Sequence, residues 1–184
     1  MKKILLVLLL LLFGCSGTTK QTLKKDSSPE KKASISNEQK LINLISDEDD
    51  EVAMKAISVL GRQDDASKAV VQKYDDMFRN CKNNRRIEDL LDAIYLYNNQ
   101  IDFLPGLEIC LNSTNEDVRE EAIDIIGGIE EKEAIDALIK ALSNKCSIVI
   151  EEAQYSLELL TDKEFKNQLQ WKTWWKMNRK NFQF

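Results

Sequence analysis

The 184-residue sequence predicts an all-α superhelix, a solenoid of about four helix pairs, and three observations support this. It contains only six Gly and two Pro, too few to supply the turns of a many-stranded β fold. Residues that favour helices, such as Ala, Leu, Glu and Lys, dominate the chain. Apolar residues also recur at helical spacing in several similar segments, which is typical of a repeat protein.

The amino terminus is typical of a bacterial export signal. Lys2 and Lys3 precede the apolar segment Ile4–Phe13, whose ten residues would span about 15 Å as a helix, half of a hydrocarbon core. The following Leu12–Cys15 segment resembles the lipobox of bacterial lipoproteins. The resemblance implies cleavage between Gly14 and Cys15 and attachment of a thioether-linked diacylglyceride, with acyl chains such as palmitate, to Cys15. The alternative is an ordinary cleaved signal peptide with an incidental cysteine.

Residues 15–37 are predicted to form a disordered tether that begins at the lipidated cysteine. Ser, Thr and Lys dominate this segment, and its sparse apolar residues show no period, so it cannot bury a core. We therefore expect a lipid-anchored protein of the bacterial cell envelope. The periplasmic face of the outer membrane is the first expectation, and the inner membrane or the cell surface is the alternative.

Residues 38–160 contain the repeats. Four similar segments begin at Val52, Ile87, Val118 and Val149, with spacings of 35, 31 and 31 residues. Each is preceded by a shorter amphipathic segment, so the repeating unit is predicted to be a helix pair. Because one such pair cannot bury both of its apolar faces alone, consecutive pairs are expected to stack on a continuous core.

The third segment carries a recognisable frame. Leu111-Asn112, Asp117-Val118-Arg119, Ala122 and Ile126-Gly127 resemble the short bacterial HEAT repeat. The resemblance implies a HEAT/armadillo-like superhelix that serves mainly as a protein-binding scaffold. The alternative is a non-repetitive helical bundle with chance similarity.

Two capping boxes are predicted. Ser113 with Glu116 is expected to open the second helix of the third pair, and Thr161 with Glu164 to open the last helix. Each pair places a hydroxyl three residues before a carboxylate, which suits the free N–H groups of a first turn.

Residues 161–184 are predicted to form a carboxy-terminal capping helix. Its three tryptophans lie at helical spacing on one face and would cover the apolar end of the last repeat. The alternative is a membrane-surface binding module in which this helix meets anionic lipid. The residues of that possible membrane contact are Trp171, Trp174, Trp175, Lys172 and Lys176.

Charge is divided along the chain. The net charge is −5, but residues 41–160 carry −14, whereas residues 161–184 carry +4. An acidic superhelix argues against nucleic-acid binding. Acidic residues that recur in the repeat frame predict a surface for a basic partner segment, although solvated helix faces would show the same pattern. The candidate partner-binding residues are Asp89, Glu120, Asp124, Glu151 and Tyr155.

No catalytic or metal site is predicted. The sequence has no His, which excludes His bases and His ligands, and no Cys-x-x-Cys pair that would suggest structural zinc. Cys81, Cys110 and Cys146 are expected to be small buried residues. We therefore expect a protein-binding scaffold or adaptor with no cofactor and no small-molecule substrate. The alternative is a lyase or chaperone-type enzyme of HEAT-like fold.

Overall fold

The computed structural model describes residues 29–184, with side chains from residue 37 onward. The predicted signal peptide, Cys15 and the first part of the predicted tether lie outside the described residues. The described chain contains α-helices, one short 3₁₀ helix at Gln100–Phe103 and no strand. The α-helices are α1 (Pro29–Leu44), α2 (Asp50–Leu60), α3 (Lys68–Asn80), α4 (Asn84–Ile94), α5 (Leu104–Cys110), α6 (Glu116–Gly128), α7 (Lys132–Ala141), α8 (Ser147–Thr161) and α9 (Gln168–Asn178).

The helices form two rows. The even-numbered helices α2, α4, α6 and α8 pack consecutively on one another and make the second row. The odd-numbered helices make the first row, in which α3 packs on α1 and α5, and α9 packs on α7. Lys140 on α7 pairs with Glu108 on α5 at 2.9 Å, which joins the two halves of that row. This architecture confirms the predicted α–α solenoid and excludes the alternative of a bundle around one centre.

One apolar core runs through all the repeats. It extends without interruption from Leu41 in α1 to Trp175 in α9. Ala56, Ala122 and Ala153 are fully buried on the second row, where small side chains let neighbouring helices approach. None of the helices in the described part of the chain is long and apolar enough to cross a membrane.

Helix α1 begins earlier than the sequence predicted. It starts at Pro29, so residues 29–37 are helical instead of belonging to an unstructured tether. Proline is favourable at the start of a helix, because its missing N–H has no partner in the first turn and its φ already suits the helix. The composition of the segment concealed this start, since its polar residues show no helical period.

The two predicted capping boxes are both displaced. Asn115, not Ser113, caps α6 by accepting a hydrogen bond from the N–H of Asp117 at 2.9 Å. Helix α8 continues through Thr161 and ends because Asp162 adopts a left-handed conformation with φ 52°. Asn167 then caps α9 by accepting from the N–H of Gln170 at 3.1 Å. In both places a nearby asparagine takes the role assigned to a hydroxyl, because either side chain satisfies the first turn.

Candidate functional site

The helix caps fix the true alignment of the second-row helices. Asp49 and Asn83 cap α2 and α4 in the same way that Asn115 caps α6, and α8 follows Cys146. The residues three positions after these caps are equivalent; they are Val52, Arg86, Val118 and Val149. The predicted leading residue Ile87 is therefore out by one position. Arg86 takes its place; its side chain is largely buried and forms an ion pair with Asp50 on α2.

Two close helix crossings support this alignment independently. A Cβ added to Gly61 would lie 3.0 Å from the Cβ of Ala93, and one added to Gly127 would lie 2.3 Å from the Oγ of Ser156. Gly61 and Gly127 are equivalent in the repeat, and Ala93 and Ser156 are equivalent only when α4 is aligned on Arg86. The second repeat therefore follows the same stacking geometry as the others.

The corrected alignment changes the predicted row of acids. Glu88, not Asp89, occupies the position shared by Glu120 and Glu151. Asp89 is instead equivalent to Glu121. The predicted series at intervals of 31 residues was therefore wrong in its first member, because the aliphatic Ile87 next to Arg86 imitates the Val that begins the other segments.

The junction between α4 and α6 holds a pair of carboxyl groups that the sequence did not reveal. Glu121 is partly buried, and the side chain of Asp92 acts on it by charge and hydrogen bonding. Burial, followed by the charge and hydrogen bond of Asp92, raises the pKa of Glu121 to about 8, and Glu88 and Asp117 raise it further. The pair therefore retains one proton at neutral pH. We call Asp92 and Glu121 the carboxyl pair.

Asp124 lies one helical turn beyond the carboxyl pair on α6. Its carboxylate accepts a hydrogen bond from the phenol of Tyr95, which follows α4. Burial and this hydrogen bond raise the pKa of Tyr95 well above its ordinary range. The sequence analysis named Asp124 as a candidate but missed Tyr95. The two residues are 29 positions apart, and no sequence pattern links them.

Asp89 lies in a shallow groove between α2 and α4. The groove has a volume of about 230 Å³, and Met54, Asp92 and the exposed Leu96 also line it. Burial raises the pKa of Asp89, and nearby Arg85 opposes this shift. Asp89 is therefore an acidic group on a partly apolar wall, close to one member of the carboxyl pair.

Glu151 and Tyr155 lie in a separate groove at the carboxy-terminal end of the second row. This groove has a volume of about 780 Å³, and Phe165 closes one side of it. The Tyr155 side chain is 59% exposed. Gln154 forms its inner wall and accepts a hydrogen bond from the indole of Trp171 at 2.9 Å. No second-row helix follows α8 within the described chain, so this wall faces solvent.

The predicted partner-binding residues therefore share the second row but not one pocket. Asp89 belongs to the α2–α4 groove, Asp124 to the α4–α6 junction, and Glu151 and Tyr155 to the end groove. Glu120 is exposed on α6 between these places. We call this surface of α2, α4, α6 and α8 the acidic face.

The tryptophans of α9 do not form an exposed surface. Trp171 is fully buried, and Trp175 is nearly so and donates its indole N–H to Asp136 at 2.6 Å. Trp174 is half-buried and packs against Phe165 and Phe182. The possible membrane contact is therefore corrected for Trp171 and Trp175, because their rings fill the contact with the last repeat. Lys172 and Lys176 are exposed.

The three cysteines of the described chain differ in burial. Cys81, Cys110 and Cys146 are free thiols, and only Cys110 is fully buried as expected. The described residues contain no cluster of three or more His, Cys, Asp or Glu arranged to hold a metal ion. The side chains of the acidic face offer charge and hydrogen bonding for recognition.

One family model matches part of the chain. Residues 104–170 match the family model of HEAT repeats, which supports a HEAT-repeat protein. No curated protein matches the sequence. An engineered protein from a structural genomics consortium is similar at 21% identity with a TM-score of 0.44; the match covers 70% of this chain and 38% of that chain. A designed armadillo repeat protein in complex with the peptide (KR)4 is similar at 20% identity with a TM-score of 0.47; the match covers 77% and 71%.

Proposed function

We propose that this HEAT-type solenoid is a protein-interaction scaffold whose acidic face binds a basic segment of a partner protein. The proposal includes a tether to the bacterial cell envelope through a lipid on Cys15, as the amino-terminal sequence suggests. It assigns no catalytic step to the chain. HEAT repeats commonly act as binding surfaces, and the acidic face supplies a specific chemistry for this role.

The carboxyl pair is the observation that carries the proposal. The charges that act most strongly on Glu121 come from Asp92, Glu88 and Asp117, all of them acidic. The fold therefore places negative groups together and leaves a proton to neutralise them. A lysine or arginine side chain of a partner would replace that proton and form charge-assisted hydrogen bonds with both carboxylates.

Exposed apolar side chains lie between the acids. Leu96 is 62% exposed beside Asp89 and Asp92, and the ring of Tyr95 is exposed beside Asp124. Tyrosines are enriched at protein interfaces and among the residues that contribute most of the binding energy, and neighbouring aliphatic groups add apolar area that binding can bury. A partner segment that alternates basic and apolar residues would match both features.

The test is binding of a lysine-rich peptide to the full-length chain in neutral detergent, measured by calorimetry. Replacing Asp92→Asn and Glu121→Gln together should weaken binding by about tenfold, since each exposed ion pair contributes roughly 0.5–1 kcal/mol. The affinity of the unmodified chain should also fall as salt rises.

The matched control removes two other exposed acids, with Glu130→Gln and Glu131→Gln in the α6–α7 loop. These changes remove two negative charges, whereas changing the singly protonated carboxyl pair removes one, and they lie away from that pair. Equal loss of affinity in both double variants would show attraction to overall charge only. Binding that is insensitive to salt, or no binding at all, would also contradict the proposal.

A further inference from the structure

Helix α9 has an outward face that differs in character from the acidic face. With Trp171 and Trp175 turned into the core, positions 169, 172, 173, 176, 177 and 180 form one exposed stripe along the helix and the turn that follows it. We call it the outer stripe. It consists of Leu169, Lys172, Thr173, Lys176, Met177 and Lys180.

The outer stripe is positively charged, and its own segment contains no acidic residue to neutralise it. Residues 165–184 contain five basic residues and no acidic one. Arg179 pairs with Asp136 and Glu133 on α7, both at 2.9 Å, so these two acids already have a basic partner. The ammonium groups of Lys172 and Lys176 have no partner in the part of the chain that the structure describes. They project beside a groove of about 470 Å³ whose floor includes Trp175 and Ile139.

Two apolar side chains stand among these lysines. Leu169 is 73% exposed and Met177 is 70% exposed, two helical turns apart. Neither side chain is needed to cover the core, because the tryptophans on the opposite face do so. A helix face of lysines with a few protruding aliphatic groups is suited to the interfacial region of a bilayer. There the aliphatic groups reach the acyl boundary and the ammonium groups meet phosphates.

We propose that the outer stripe is a contact surface for a membrane containing anionic phospholipid. The argument stands on charge complementarity and on the protruding Leu169 and Met177, independently of the acidic face. Each lysine near an anionic surface contributes about 1 kcal/mol, so three lysines give a weak, reversible contact. A lipid tether would strengthen it by raising the local concentration of membrane surface. Since anionic lipid repels carboxylates, this contact would direct the acidic face towards the solvent.

A flat basic surface for an acidic protein is the competing assignment. We favour lipid because the outer stripe itself contains no aromatic ring that would anchor a protein partner: Trp171 is fully buried, and Trp175 nearly so. The remaining apolar groups are isolated, flexible side chains that would enter lipid to a shallow depth. The outer stripe therefore suits a fluid, negatively charged membrane better than the fixed surface of an acidic protein.

The experiment uses the full-length chain reconstituted into vesicles, with lysine acetylation measured by mass spectrometry. In vesicles that contain phosphatidylglycerol, modification of Lys172, Lys176 and Lys180 should be about fivefold slower than in pure phosphatidylcholine vesicles. High salt should restore the faster rate. Lys68 and Lys82 are exposed internal controls in the second repeat and should react equally in both vesicles.

A variant separates this contact from general adsorption. Leu169→Gln with Met177→Gln changes only exposed side chains and should reduce the protection of Lys172 by half or more. Equal modification of the outer stripe in both kinds of vesicle would overturn the proposal. Protection that extends equally to Lys68 and Lys82 would also overturn it. Protection produced only by an added acidic protein would assign the surface to that class of partner instead.

Discussion

The carboxyl groups of Asp92 and Glu121 meet by a hydrogen bond across the junction between the second and third repeats. They lie 29 residues apart in sequence, on α4 and α6, and each belongs to the polar side of its own helix. Stacking two helices of the same acidic pattern brings like charges together. The protein therefore has a local electrostatic cost at the position where we propose that a basic partner binds.

Stability should fall as pH rises because of this pair. Glu121 has a pKa of about 8 in the folded chain against an ordinary value of 4.5. Between these values the folded state binds a proton that the unfolded state has released, so the free energy of unfolding decreases with pH. Since the side chain is half-exposed, solvent screening limits the loss to about 1–2 kcal/mol between pH 5 and pH 9.

Urea denaturation at pH 5, 7 and 9 measures this effect. Glu121→Gln should flatten the dependence and raise stability at pH 9, because the amide keeps a hydrogen bond but cannot ionise. Glu120→Gln, at the exposed neighbouring position, is the control and should leave the slope unchanged. A slope that survives Glu121→Gln would show that another group is responsible.

The close crossing of α6 and α8 should make Gly127 intolerant of a side chain. Gly127→Ala would place a methyl group 2.3 Å from the Oγ of Ser156 and should destabilise the protein by about 1–3 kcal/mol. Gly128→Ala next to it meets nothing within 4 Å and should be neutral or slightly stabilising. Thermal unfolding compares the two variants, and Ser156→Gly should restore much of the stability lost by Gly127→Ala. If Gly127→Ala and Gly128→Ala changed the melting temperature equally, the close contact between Gly127 and Ser156 would be contradicted.

The stability of the carboxy-terminal end of the solenoid should depend on Gln154. Its side chain accepts from the indole of Trp171 at 2.9 Å and donates to the carbonyl of Phe165 at 2.9 Å. Gln154→Leu leaves both groups without partners and should cost about 2 kcal/mol. All three tryptophans lie in α9, so their fluorescence reports on this end of the molecule. Gln72→Leu, at an exposed position on α3, is the control. If both variants lowered the urea midpoint of tryptophan fluorescence equally, Gln154 would have no special role in holding α9.

The thiols should differ in reactivity. Backbone N–H groups of Val149 and Ile148, together with Arg119, lower the pKa of Cys146, whereas burial raises the pKa of Cys110 to about 12. Because the thiolate is the reactive form, iodoacetamide at pH 7 should modify Cys146 at least tenfold faster than Cys110 in the folded chain. Peptide mass spectrometry measures both rates. In denaturant the two rates should become similar, and a fast Cys110 in the folded state would disprove the environment described for it.

The helical repeat could be predicted from sequence because its signals are local and recur. Apolar spacing and small residues such as Ala122 and Ala153 follow from the periodicity of a helix that must bury one face. The error of one position at Ile87 has an equally clear cause. The second repeat places Arg86 where the others have Val, and an aliphatic residue next to it imitates the expected frame.

By itself, then, the sequence determined that the described chain would form stacked helix pairs with an acidic middle and a basic end, because composition and helical period are properties of neighbouring residues. Only the tertiary structure decided that Asp92 meets Glu121, that Tyr95 meets Asp124, and that the tryptophans of α9 turn inward. These contacts join residues from different repeats, and their partners depend on how closely two helices approach and on their relative rotation. Such geometry arises from packing the whole core and leaves no signature at the individual positions.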